Sequence, residues 1–394
     1  MLLNGQSTCQ SKDAIPVVEM EKLPAALREK FLRKKAATSS NTSSGASTPT
    51  TIVSGTESQS LTPPLSTLPT SSIPFPLSNL EECLACESPC TDEEQASYPN
   101  YIVKSIDREL PLAGSVKPYG RHLLISTGRT DWAHSIDEEE GSLAQGIFRG
   151  LYDKKYGGRK RVEEQRIVLS NTSFPPRKIG SPESEVLILP EWKLVNHVSV
   201  ASASEFCRQF VDNEANDGDA TLTSEALTSE TLPFHSIVLI CSHAKRDKRC
   251  GVTSKYLVKA FESGLRKREI YRSWDDTRTE AQGGVAGGGT VVGCLSHVGG
   301  HKFAGNVIVY RRRTRSMTEL HEKLKNLTLK RAETPEDLVT EGVSGDNIAA
   351  EGIWLGRVEP KHVGPIIEEV ILKGRVFKEL YRGGLPSKYA HLQF

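Results

Sequence analysis

Two cysteines and two histidines lie in short segments of the second half of the chain. Eight residues separate Cys241 from Cys250, and three residues, two of them glycine, separate His297 from His301. Thiolates and neutral imidazoles are the ligands that zinc and iron favour in proteins. Two of each make a set of four ligands, so the pattern predicts a metal centre or a redox site.

The segment between the two cysteines is basic. It contains His243, Lys245, Arg246, Lys248 and Arg249. Cys241 is predicted to end a buried strand, and Cys250 to open the helix that follows. A helix N-terminus and neighbouring cations both favour the thiolate form of cysteine. We therefore expect both thiols to ionise readily.

The four residues leave three kinds of site open. Structural zinc sites usually take cysteines about two to four residues apart, and a separation of eight is unusual for them. A Rieske-type [2Fe-2S] cluster takes two cysteines and two histidines and is wide enough to draw them from a longer loop. The residues favour a cluster, but they also allow a zinc-stabilised binding module or a cluster-free thiol-disulfide oxidoreductase that uses Cys241 and Cys250.

The elements expected to position these residues alternate between strand and helix. Apolar runs predict strands at 122–126, 186–189, 236–240, 290–295, 306–310 and 352–358, and helical spacing predicts helices at 143–151, from 203 onward, at 256–265 and at 363–371. Ser202 and Glu205 form a capping-box pattern, and Gly374 is placed as a helix stop. The predicted fold class is α/β, with a thioredoxin-like C-terminal domain, a smaller α/β domain before it and a disordered N-terminal tail.

Composition divides the chain into four regions. Ser, Thr or Pro occupy 27 of the 45 positions from 36 to 80, which predicts disorder because such a segment buries little apolar surface. The predicted regions are a tail at 1–82, an N-terminal α/β domain at 83–212, an acidic linker at 213–234 and a cluster-binding domain at 235–386 with an insertion at 311–350.

Charge and composition exclude several classes of function. The chain has 394 residues and a formal net charge of +1, which argues against a nucleic-acid partner held by phosphate contacts. No apolar run reaches the roughly 18 residues that a membrane span needs. Eight cysteines without a signal peptide do not make a secreted disulfide scaffold. Hydrolase motifs are also missing, so a redox protein is favoured over a hydrolase.

The other cysteines carry weaker signals. Cys83, Cys86 and Cys90 form a C-x-x-C pattern with a third cysteine, which is compatible with a metal or a disulfide and leaves the role of the three open. Cys207 and Cys294 are predicted to be packed thiols on a helix and a strand, with Cys294 near His297.

Several longer motifs lie along the second half and upstream of it: Arg121–Trp132, Cys241-Ser-His243, Arg246-Asp247, Cys250-Gly251, His297–Asn306, Trp354–Val358 and Tyr381–Gly384. Together they resemble the sucrase/ferredoxin-like family, and in particular its fungal altered-inheritance-of-mitochondria branch, over roughly residues 83–385. The resemblance implies a thioredoxin-like domain holding a [2Fe-2S] cluster, with Cys241 and Cys250 as thiolate ligands and His297 and His301 as imidazole ligands. It also implies a redox role with donor and acceptor proteins that the sequence does not identify, and a mitochondrial rather than cytoplasmic location.

Overall fold

The computed structural model describes residues 73–85, 92–162, 165–212, 227–275, 288–312 and 350–386. Contacts divide the chain into two units, 1–62 and 63–394, and every described residue belongs to the second. The predicted tail up to residue 72, Cys86, Cys90 and residues 313–349 of the predicted insertion lie outside the described residues.

The described residues form twelve strands and seven α-helices. The strands are β1 (Leu77–Ser78), β2 (Arg121–Ser126), β3 (Ile167–Thr172), β4 (Ser184–Leu189), β5 (Lys193–Val198), β6 (Thr228–Thr231), β7 (Ser236–Cys241), β8 (Thr290–Leu295), β9 (Val307–Arg312), β10 (Ala350–Leu355), β11 (Val376–Phe377) and β12 (Tyr381–Leu385). The helices are α1 (Leu80–Leu84), α2 (Asp92–Gln95), α3 (Asn100–Ser105), α4 (Leu143–Tyr152), α5 (Ala203–Phe206), α6 (Lys248–Lys267) and α7 (Val363–Pro365). Cys207–Val211 and Ile366–Leu372 continue α5 and α7 as π-helix.

Ten of the strands form one mixed sheet in the order β12-β10-β9-β7-β8-β3-β2-β4-β5-β6. The pairs β2–β3 and β7–β8 are parallel, and each is connected through a helix, α4 or α6. The strands outside these pairs run antiparallel to their neighbours. At the centre, β3 meets β8 through the single pair Thr172–Leu295, so the C-terminal ends of two parallel pairs come together there.

Hydrophobic periodicity explains the elements that carry the candidate ligands. All six residues of β7 are buried, as expected for a strand covered on both faces. Helix α6 buries Leu257, Ala260, Phe261 and Leu265, an apolar stripe with helical spacing. Asp247 caps its N-terminus by accepting a hydrogen bond from the Arg249 backbone N–H at 2.9 Å. The cap fixes where the helix begins, and therefore where Cys250 lies.

The prediction of an α/β fold is confirmed, because strands and helices alternate around a large mixed sheet. Six strands have no counterpart among the predicted ones: β1, β3, β5, β6, β11 and β12. The predicted capping box at Ser202 and Glu205 does not form, since the Ser202 hydroxyl contacts Ser199 instead. Gly374 has a φ of +71° just after the last helical segment, as a helix stop requires.

The thioredoxin-like assignment and the division into domains stay predictions. Within the predicted linker, residues 213–226 lie outside the described part of the chain, and Thr228–Thr231 forms the edge strand β6. In the predicted tail, Phe75 and Leu80 are buried in a core that also contains Phe261 and Ile367. None of the helices in the described ranges combines the length and hydropathy of a membrane span.

Candidate metal centre

Three of the four predicted ligands meet at the C-terminal ends of β7 and β8. The ligand atoms of Cys241, Cys250 and His297 all lie within 4.8 Å of one another. Cys241 is the last residue of β7, Cys250 is in the first turn of α6, and His297 follows the end of β8. Because β7 and β8 are parallel neighbours, their ends and the helix between them converge on one point.

The fourth predicted ligand, His301, lies outside that group but next to His297. Its Nδ1 is 3.4 Å from His297 Nε2, and the two ring centroids are 5.0 Å apart. The other ring nitrogen, Nε2, is 4.0 Å from the Asp247 carboxylate. The His301 side chain is 44% exposed, whereas both cysteines are buried. The site therefore has an enclosed thiol end and a more open imidazole end.

The two glycines of the His297–His301 loop make its tight path possible. Gly299 and Gly300 have φ angles of +82° and +71°, in the left-handed region that favours glycine. The Asn306 side-chain Nδ2 donates to the Gly300 carbonyl at 3.0 Å. This bond fixes the loop between the two imidazoles.

His243 supports the site, although sequence analysis counted it only among the basic side chains. Its Nδ1 accepts the His297 backbone N–H at 3.1 Å, and its Nε2 lies 3.1 Å from the Trp132 carbonyl. An acceptor at Nδ1 and a donor at Nε2 describe a neutral imidazole. Burial lowers the pKa of His243, in agreement with that neutral form. His243 therefore positions His297 and adds no positive charge near the thiols.

The two thiols differ, which corrects the expectation that both ionise readily. A hydrogen bond from the Cys250 thiol holds the pKa of Cys241 well below its usual range, and His297 lowers it further. The same interaction, together with burial, raises the pKa of Cys250. Two adjacent buried thiols share one negative charge, because the first thiolate opposes ionisation of the second. A bound cation would remove that opposition.

The basic residues of the loop are directed at other partners. Arg246 donates to the His134 carbonyl at 3.0 Å, and Arg249 forms an ion pair with Asp247 at 2.8 Å. The buried cation beside the site is instead Arg382 of β12, which bonds the Gly299 carbonyl at 3.3 Å. In the sequence, Arg382 is marked only by its place in the Tyr381–Gly384 motif, and nothing there predicts a role for it.

The side chains of the four predicted ligands are suited to binding a metal, as the surroundings of His297 indicate. His297 Nδ1 is buried and has no hydrogen-bond partner among the described residues. An imidazole nitrogen buried without a partner beside two thiols is costly unless another group satisfies it. A metal would supply that interaction and would draw both sulfurs into the thiolate form. Two thiolates and two imidazoles suit iron in a cluster or zinc.

A cavity of about 720 Å³ opens beside the imidazole end. Both halves of the sheet contribute to it: residues 134–138 and α4 line one side, and the His297–Gly299 segment lines the other. The cavity is large enough for a small organic molecule or a side chain from a partner protein. It gives His297 and His243 a route to the surface.

The remaining described cysteines are not part of the group of converging ligand atoms. Cys207 is buried and donates its S–H to the Ile147 carbonyl at 3.6 Å, and burial raises its pKa to about 12. Cys294 is buried on β8, opposite Ile240 of β7 and three residues before His297, as predicted. Burial raises its pKa, and the nearby Cys241 charge adds to the effect. Cys83 is half-buried in α1. Its C-x-x-C partners Cys86 and Cys90 lie outside the described residues, so their predicted alternatives stay open.

Comparisons with known proteins give a family and several relatives. Residues 112–383 match the family described as Sucrase/ferredoxin-like. The chain is 28% identical to Actin patches distal protein 1 of Saccharomyces cerevisiae, over 73% of this chain and 80% of that protein. It is 25% identical to Altered inheritance of mitochondria protein 32 of Debaryomyces hansenii, over 78% of this chain and 97% of that protein. No solved structure matches.

Proposed function

The chain belongs to the sucrase/ferredoxin-like family, and from this and the geometry of the cysteine–histidine site we propose a redox protein that binds a Rieske-like [2Fe-2S] cluster. The proposed ligands are Cys241, Cys250, His297 and His301. The protein would act in electron transfer or in redox sensing. The observation that carries the proposal is the convergence of two thiols and one imidazole within 4.8 Å, with a second imidazole beside the first.

When bound, such a cluster supplies a one-electron couple whose potential is raised by imidazole ligation. The chain encloses the thiol end, since Cys241 and Cys250 are each only 1% exposed. Burial of this kind excludes water and protects the sulfurs from oxidation.

The imidazole end can exchange protons with solvent. His301 exposes 44% of its side chain, and its Nε2 is 4.0 Å from the Asp247 carboxylate. Burial lowers the pKa of His301 and the Asp247 charge opposes that effect. Protonation at a histidine ligand would couple proton uptake to electron uptake, because added negative charge favours the protonated imidazole.

The topology supports the thioredoxin-like part of the proposal. Strands β8, β7, β9 and β10 are adjacent in that order, with β7 parallel to β8, and α6 connects these two. We assign residues 235–386 to a thioredoxin-like domain on this order. A mitochondrial location is proposed because several relatives are named for altered inheritance of mitochondria. The partners would be one-electron donor and acceptor proteins.

Anaerobically purified full-length protein tests the proposal. We expect a coloured protein with about two iron atoms and two acid-labile sulfides per chain. Substitution of His297 or His301 by cysteine should change the electron paramagnetic resonance spectrum and lower the potential, because thiolate replaces neutral imidazole. A colourless protein with one zinc per chain, made in cells with working cluster assembly, would refute the cluster.

One observation favours a second function, thiol-disulfide exchange. The pKa of Cys241 is well below its usual range beside the Cys250 thiol, as in a nucleophile paired with a resolving cysteine. Burial of both sulfurs opposes attack on a protein disulfide. A reversible Cys241–Cys250 disulfide that titrates in metal-free native protein, with no iron in the purified form, would select this function.

A further inference from the structure

Arg382 is a buried cation placed directly under the loop that carries the two histidines. It lies on β12 and is 1% exposed. Its guanidinium donates to Ser115 Oγ at 3.1 Å, the Gly299 carbonyl at 3.3 Å and Asn306 Oδ1 at 3.0 Å. The same group lies 5.6 Å from the centre of the Phe303 ring. All of these partners are neutral.

No carboxylate lies within ion-pair distance of Arg382 among the residues that the structure places. Burial lowers the pKa of Arg382 to about 10, so the group remains protonated at neutral pH. The negative charge that Cys241 and Cys250 share opposes this lowering. A buried charge without an opposite charge nearby is strongly unfavourable. The sulfurs of the metal centre are therefore the anions available to balance it.

Two glycines make room for the guanidinium. A Cβ added to Gly300 would stand 2.2 Å from Arg382 Nη2, and a Cβ added to Gly356 would stand 2.7 Å from Arg382 Cδ. Neither distance is compatible with a side chain. The chain thus excludes side chains at two positions where they would displace Arg382.

Asn306 links Arg382 to both pairs of ligands. Its backbone carbonyl accepts the Cys241 N–H at 3.0 Å. Its side-chain amide donates to the Gly300 carbonyl and accepts from Arg382, each at 3.0 Å. The guanidinium is therefore held at a fixed position relative to the end of β7 and to the histidine loop.

We infer that Arg382 is the countercharge of the metal centre and that its positive charge raises the one-electron reduction potential of the site. This inference rests on the proposed function. Reduction brings one electron from an external donor protein and adds one negative charge to the site. A fixed cation beside the histidine loop stabilises the reduced form more than the oxidised form, and burial strengthens the effect because the medium screens weakly.

Redox titration of the full-length holoprotein tests the inference. Arg382→Gln should shift the reduction equilibrium towards the oxidised state by about tenfold, which is about 59 mV for a one-electron couple. Arg382→Lys keeps the charge and should restore most of the wild-type potential. Arg357→Gln is the matched control, because Arg357 also stacks on Phe303, at 5.2 Å, but donates to the carbonyls of Asp107 and Leu110. A wild-type potential in Arg382→Gln with an intact spectrum overturns the inference.

A second measurement decides the case in which the variant fails to retain iron. In reduced, metal-free protein at neutral pH, ultraviolet thiolate absorbance should be lower in Arg382→Gln than in wild type and unchanged in Arg357→Gln. Equal absorbance in all three proteins overturns the inference. Wild-type protein without iron refutes the proposed cluster separately, and the thiolate measurement still tests Arg382.

Discussion

The two halves of the sheet have the same order of elements, yet only one carries the candidate ligands. From β2 to β6 and from β7 to β12, each half contains a strand, a helix, three strands and a helical segment, and ends with an edge strand of the sheet. The second half has one additional strand, β11, which pairs with β1 outside this sheet. The end of β2, the first turn of α4 and the second position after β3 hold Ser126, Gln145 and Phe174. The matching positions in the second half hold Cys241, Cys250 and His297.

This difference shows that the topology brings two strand ends and a helix N-terminus together in both halves. Whether a metal can bind there depends on the residue types at those positions. In the first half, Gln145 accepts the Gly141 N–H at 3.3 Å and Phe174 stacks on Trp274 at 4.0 Å. The first half instead supports the second: the carbonyls of Thr130 and Trp132 bond Ser242 and His243. The second half holds the candidate metal ligands, and the first half encloses them.

Between the halves lies a buried hydrogen-bond chain that contrasts with the metal centre. His122 bonds Ser170 at 2.9 Å and Tyr310 at 3.0 Å, and Tyr119 bonds Tyr310 at 3.0 Å and Trp354 at 2.8 Å. Both imidazole nitrogens of His122 thus have partners within the chain, whereas His297 Nδ1 has none among the described residues. A buried network in which every polar group has a hydrogen-bond partner stabilises the fold. A buried polar atom that lacks a partner in the described part of the chain, such as His297 Nδ1, is free to bind a ligand.

The largest expected effect comes from removing a thiol of the proposed metal centre. Cys250→Ser should lower metal affinity by more than about 100-fold, because even residues that only support ligands cost about 10–100-fold. Metal content and competition with a chromophoric chelator measure the loss. Cys207→Ser, which alters a buried thiol of the first half, should leave metal content unchanged. Equal metal retention in the two variants would mean that the comparison between the halves is wrong.

The glycines of the histidine loop give the next effect. Gly300→Ala adds a Cβ 2.2 Å from the Arg382 guanidinium, whereas nothing lies within 4 Å of a Cβ at Gly299. Both positions have positive φ, so either alanine should cost about 1–2 kcal/mol of unfolding free energy. Only Gly300→Ala should also lower metal affinity, by about 10–100-fold. Equal metal affinity in the two variants would show that the space at Gly300 does not matter.

Much of the second half could be predicted from sequence because its signals are local. The unbroken apolar run of β7 and the helical stripe of α6 fix two elements, and the Cys and His spacing marks their ends. The joining of the halves through Thr172 and Leu295 has no local signal, because it pairs residues far apart in sequence.

Electrostatics in the site were also beyond sequence reasoning. The unequal pKa values of Cys241 and Cys250 depend on how closely the thiols approach in space. The roles of Arg382 and His243 depend in the same way on long-range packing, which places one under the histidine loop and the other against Trp132. Residue type alone suggested that His243 adds positive charge, and the hydrogen bonds show a neutral ring.

Breaking the buried hydrogen-bond network between the halves should lower the free energy of unfolding without changing metal content. Tyr310→Phe removes the hydroxyl that bonds His122 and Tyr119, and it should cost about 1–3 kcal/mol because two buried polar groups lose a partner. Urea unfolding of metal-free protein measures the cost. Tyr256→Phe is the control, since Tyr256 packs edge-on to Tyr98 and is not part of this hydrogen-bond network. If Tyr310→Phe lost iron while keeping its stability, the network would belong to the metal centre.

The last prediction concerns pH and distinguishes the buried histidine of the first half. Burial lowers the pKa of His122 from 6.5 to about 3, and Arg166 adds to the effect, so the folded protein keeps this ring neutral. The unfolded chain takes up the proton at higher pH, so the stability is complete above pH 6.5 and falls as the pH drops from 6.5 towards 3. The slope from one such group is at most about 1.4 kcal/mol per pH unit.

His122→Gln should therefore be less stable than wild type at neutral pH but should lose stability less steeply on acidification. Burial also lowers the pKa of His235, His243 and His362, and their contributions remain in both proteins, so the difference between the two curves isolates His122. Urea unfolding of metal-free protein across this pH range measures it. Parallel curves would mean that His122 takes up its proton in the folded state. The hydrogen-bond network between the halves would then be accessible to protons, as is proposed for the imidazole end of the metal centre.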